Sequence, residues 1–75
     1  MAEFNMKQIG KAMKATRELR GKTKEELAIE TGLAVSSIYN YETGKNVPGL
    51  YNLIHLADAL RVPLDVYIGR KVKYE

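Results

Sequence analysis

Ala28, Gly32 and Ile38 stand four and six residues apart. That spacing constrains the fold of the chain more than any other feature. A small residue lets one helix approach a second closely. A glycine four residues later makes the turn. A β-branched aliphatic six residues beyond it plugs the angle between the helices. Two helices crossing at about 90–120° require such a set. Thr23 and Glu26 stand in front as a capping box, hydroxyl to one free amide and carboxylate back to the other. Glu42-Thr43-Gly44 closes the unit behind, echoing Glu30-Thr31-Gly32. Each glycine is able to take the left-handed cap of a helix. The spacing predicts a helix-turn-helix.

The rest of the chain is helical by periodicity. Ile9, Ala12, Met13 and Thr16 follow the i, i+3, i+4, i+7 rule, as do Leu53, Leu56, Ala57 and Leu60. No segment alternates with period two, so no strand is expected. Glycine and proline cut the pattern into five helices: about 5–20, one starting after Thr23 and ending at Gly32, about 35–43, one from Pro48 and Gly49 to near Leu60, and a short one with Pro63 near its start and Gly69 at its end. The expected fold is all-α, five helices around one core at about 5–68. All 75 residues form one domain, with a mobile tail at 69–75.

Composition removes several functions. There is no cysteine, hence no disulfide scaffold, thiolate metal site or cysteine nucleophile. His55, the single histidine, excludes a multi-histidine metal site, supports no arguable catalytic triad, and is read as a structural residue on the fourth helix. No metal, cofactor, small-molecule ligand or enzymatic activity is expected. No apolar run approaches the roughly 18 residues of a membrane span. The start MAEFNMKQ lacks a basic-then-apolar signal. The expected location is cytoplasmic. A net charge of +3 favours a polyanionic partner without identifying one.

The stretch AVSSIYNY, residues 34–41, is uncharged and mostly polar or aromatic. That is too polar for a core element and too uncharged for a routine solvated helix. In its setting, TKEELAIETGLAVSSIYNYETGKNVP resembles the helix-turn-helix of the Cro and lambda-repressor-like (Xre-type) transcription regulators. The resemblance spans Met13 to Ile68 and includes Arg17 and the closing VPLDVYI. It implies a five-helix lambda-repressor-like domain whose third helix, about 35–43, enters the major groove of double-stranded DNA. It also implies an ion pair between Arg17 and Glu42, and a repressor or activator of bacterial or phage type at the nucleoid.

Helix geometry divides the residues of that third helix. Ile38 and Tyr41 must face inward with Leu27 and Ala28, which leaves Val35, Ser36, Tyr39 and Asn40 outward. Asn pairs bidentately with adenine, Ser with either kind of base, and Val or Tyr packs on a thymine methyl. Lys24, Ser37, Thr43, Lys45 and Asn46 flank this face and suit phosphates. Two departures from the family pattern stand out. Lys24 replaces the usual glutamine, and Ala34 replaces the usual hydroxyl cap. A homodimer on a palindromic operator is expected, with its contact at Val62, Leu64, Val66 and Tyr67. The alternative is a protein-binding module on the same fold, such as an antitoxin, anti-repressor or bridging factor. Such a module would show exposed Leu, Met or Phe where this chain has polar groups.

Overall fold

The computed structural model describes residues 6–68, and over these the chain is helical with tight connections. The helices are α1 (Met6–Leu19), α2 (Lys24–Thr31), α3 (Val35–Glu42), α4 (Leu50–Leu60) and α5 (Asp65–Ile68). No strand occurs among the described residues. The expected beginning of the first helix at Asn5, the tail 69–75 and the stop at Gly69 lie outside the described residues.

Local chemistry sets most helix ends. Thr23 accepts from the Glu26 amide, and the Glu26 carboxylate accepts from the Thr23 amide, so both halves of the box form. Gly32 and Gly44 take left-handed conformations at φ 75° and 79°, which a Cβ would disfavour. α4 starts after Gly49, as expected, but ends on Arg61 at φ 60°, a left-handed cap with no glycine. Arg20 stabilises that end by donating from Nε to the Leu60 carbonyl at 2.8 Å and from Nη2 to the Arg61 carbonyl at 3.1 Å. α5 starts at Asp65, two residues after Pro63, whose carbonyl accepts from the Val66 amide at 3.1 Å in the turn that opens the helix.

The core collects Ile9 and Met13 of α1, Leu27 and Ala28 of α2, Ile38 and Tyr41 of α3, Leu53, Leu56, Ala57 and Leu60 of α4, and Tyr67 of α5. α1 packs on α3 and α5, while α2 packs on α3 and α4. α3 therefore rests on two supports. Tyr67 corrects the expected dimer contact: its ring is buried, and its hydroxyl meets Thr16 Oγ1 at 3.2 Å. Val62 and Leu64 are half-buried against the same core, which leaves Val66 exposed. The short helix hides Tyr67 inside its own molecule because Thr16 of α1 offers the phenol a hydroxyl partner.

Candidate nucleic-acid interface

α3 presents one face outward. Ile38, Tyr41 and Glu42 are buried, whereas Val35, Ser36, Tyr39 and Thr43 are exposed and Ser37 and Asn40 are half-buried. Ser36 and Asn40 lie one turn apart on that outward side. Tyr39 stands out furthest of the bulky groups, 52% exposed. The outward surface is therefore a ridge of hydroxyl, amide and aromatic groups with no formal charge.

Lys24, Lys45 and Asn46 lie on the elements next to α3 in the chain. Lys24 occupies the first position of α2, where the helix dipole disfavours a cation. Glu25 and Glu26 in the same turn offset part of that cost. Lys45 and Asn46 follow α3, and their amides both donate to the Asn40 carbonyl, at 2.9 and 3.2 Å. That turn fixes where their exposed side chains start. Thr43 Oγ1 donates to the Tyr39 carbonyl at 2.9 Å, so a phosphate would have to compete for its proton. α3 itself begins on Ala34, which makes no side-chain cap bond.

Behind the ridge lies a lock. Arg17 Nε donates to Glu42 Oε2 at 2.7 Å and Nη2 donates to Oε1 at 3.0 Å, a bidentate pair with both side chains buried. Arg17 Nη1 also donates to the Lys22 carbonyl at 2.8 Å. The guanidinium thus ties α1 and the turn after it to the last residue of α3. Hydrogen bonding to Glu42 raises the Arg17 pKa further above its ordinary value, so the group stays charged. Tyr41 is buried, and its hydroxyl accepts from Asn52 Nδ2 at 3.3 Å, joining α3 to α4.

Gly10 completes the lock and carried no signal in its motif. A Cβ there would sit 2.4 Å from the Tyr41 carbonyl oxygen and 2.6 Å from that of Glu42. The backbones of α1 and α3 touch at this point. A glycine inside a helix otherwise costs about 1 kcal/mol relative to alanine, and that cost was the available hint. Arg20 and Asn52 were also missed, since a surface arginine and an asparagine look alike in sequence whether or not they bond a distant carbonyl or hydroxyl.

A family model described as helix-turn-helix matches residues 13–67, from the middle of α1 through Tyr67. The chain belongs to this helix-turn-helix family. Among curated proteins it is 37% identical over 54 residues to the cryptic phage CTXphi transcriptional repressor RstR of Vibrio cholerae. That match takes in 72% of this chain and 48% of the relative, so the chain spans about half of the relative's length. Among solved structures, the restriction-modification controller protein C.AhdI from Aeromonas hydrophila superposes with a TM-score of 0.79 at 27% identity, over 83% of this chain and 94% of that one. The master regulator for biofilm formation SinR, solved in complex with DNA, superposes with a TM-score of 0.71 at 28% identity, over 75% and 90% of the two chains.

Proposed function

We propose that this chain is a sequence-specific transcriptional regulator that places α3 in the major groove of double-stranded DNA. One observation carries the proposal: α3 is an uncharged hydrogen-bonding ridge, braced from behind by a buried ion pair and followed by Lys45 in its closing turn. A routine solvated helix would carry charges on its outward face, and a protein-docking helix would carry large aliphatics. Base edges call for amides, hydroxyls and small apolar groups instead. Val35, Ser36, Tyr39 and Asn40 read bases, while Lys24, Ser37, Thr43, Lys45 and Asn46 meet the strands bordering the groove. SinR was solved with DNA and RstR is named a repressor, and both support the same use here. The role is binding rather than catalysis. The protein acts at the bacterial or phage-type nucleoid in the cytoplasm, as a homodimer on a palindromic operator.

The test begins with selection of bound duplexes from a random pool. Wild type and single variants are then titrated against the selected duplex and a scrambled one at several salt concentrations. Asn40→Ala is expected to weaken the selected duplex about 5- to 150-fold, 1–3 kcal/mol, while leaving the scrambled duplex nearly unchanged. Lys45→Ala and Lys24→Ala are expected to weaken both alike and to reduce the salt slope by about one phosphate. Equal weakening of both duplexes by Asn40→Ala would show that the reading face lies elsewhere. No enriched duplex at all would favour the protein-binding alternative.

A further inference from the structure

The twelve residues from Asn46 to Ala57 carry no Lys, Arg, Asp or Glu, in a chain that is 28% charged. Leu53, Leu56 and Ala57 face the core, but the outer face of the same segment is apolar too. Leu50 is 69% exposed and Tyr51 74%, with Val47 and Ile54 also exposed beside them. Leu50 and Ile54 are one helical turn apart, as are Tyr51 and His55, whose rings meet edge to face at 4.7 Å. The other large exposed aliphatics differ in setting. Leu19 lies between Glu18 and Arg20, and Ile29 has Glu30 beside it and Glu25 and Glu26 a turn back.

We propose that the face formed by Val47, Leu50, Tyr51 and Ile54 docks a second copy of this chain. Three observations select that occupant. A face with no charge can meet its own copy across a two-fold axis without bringing like charges into contact. The ring contact between Tyr51 and His55 restricts the largest side chain in advance, which lowers the ordering cost of binding. The third is area. These side chains expose on the order of 400 Å² per copy, about half of the ~800 Å² per partner in a standard stable complex. Such a contact is too small to hold a dimer in dilute solution. It suffices when two adjacent half-sites hold the copies at an effective concentration in the millimolar range. The timing of assembly therefore rests on the DNA-binding proposal, while the surface does not.

The probe is Leu50→Glu/Tyr51→Glu. Both side chains point to solvent, and acidic groups in the first turn of α4 favour the helix dipole, so the variant should fold as wild type. Without DNA, sedimentation and amide shifts are followed up to millimolar protein. Wild type should self-associate with shifts centred on residues 46–58, and the variant at least tenfold more weakly. On selected duplexes, the variant should match wild type on one half-site and lose at least tenfold on two. Unchanged self-association in the variant, shifts centred on α5, or cooperativity retained on two half-sites would overturn the surface. If wild type binds no duplex, the DNA proposal falls, and the DNA-free measurement decides the surface by itself.

Discussion

Ala34 begins α3 with its backbone in the extended conformation a cap requires, φ −73° and ψ 146°, but has no side chain able to bond a free amide. Ala34→Ser keeps that backbone and adds the acceptor. It should stabilise the protein by about 0.5–1 kcal/mol in a urea titration. Arg61 shows the reverse misfit, a side chain where the left-handed backbone suits glycine. Arg61→Gly should add about 0.5–1 kcal/mol, the roughly 1–2 kcal/mol of left-handed strain less glycine's greater unfolded-state entropy, since the carbonyl that Arg20 binds is kept. A loss of stability in either variant would mean that the native side chain makes a contact worth more than the cap. The two ends differ in how plainly they could be read. The missing hydroxyl at Ala34 is a property of one residue and shows in sequence. The left-handed Arg61 does not, because the backbone bonds that close the helix end and the distant Arg20 that binds its carbonyls have no local sequence signature.

Between elements, α3 is held by Arg17, Glu42 and Gly10, and only the pair was legible. An arginine and a glutamate at family positions announce themselves, while a backbone contact has no side chain to announce it. Arg17→Ala and Glu42→Ala each leave a buried partner unpaired, which costs about 3–5 kcal/mol. A domain of this size has a total stability of about 5 kcal/mol, so both variants should be largely unfolded by modest urea. The double variant should be less destabilised than the sum of the two. Additive losses would show that the residues act separately. Gly10→Ala sets two effects against each other. Alanine gains about 1 kcal/mol of helix propensity, but its Cβ would overlap two carbonyl oxygens that belong to backbone and cannot rotate away. Overpacking of this kind costs about 1–3 kcal/mol, so the expected result is a net loss, with α1 and α3 forced apart. A thermal midpoint at or above wild type would mean that the helices do not meet so closely.

Over the whole molecule, α5 packs back on α1, and Tyr67 makes the connection. Apolar content alone suggested that this segment was free to pair with another molecule. What the composition did not reveal is that Thr16, one turn from Ala12 on α1, offers its hydroxyl to the phenol, so that a tyrosine can be buried whole. Burial raises the Tyr67 pKa above the ordinary value of 10, outweighing the opposing effects of the Thr16 hydrogen bond and the Arg20 charge. The consequence for stability has a definite sign. Above about pH 10 the unfolded chain releases this proton while the folded chain retains it, so the folded state binds more protons and stability falls as pH rises. Below pH 10 the contribution is fully present. Tyr67→Phe removes both the hydrogen bond and the proton. At pH 7 it should cost about 1 kcal/mol. Effects of pH common to both proteins cancel in the difference. The gap between wild type and Tyr67→Phe should therefore hold constant to about pH 10, then narrow and close as the pH rises further. Denaturation curves at intervals from pH 7 to the alkaline limit measure it directly. A gap that stayed constant through that range would mean that the phenol ionises equally easily in both states and does not sit buried against α1.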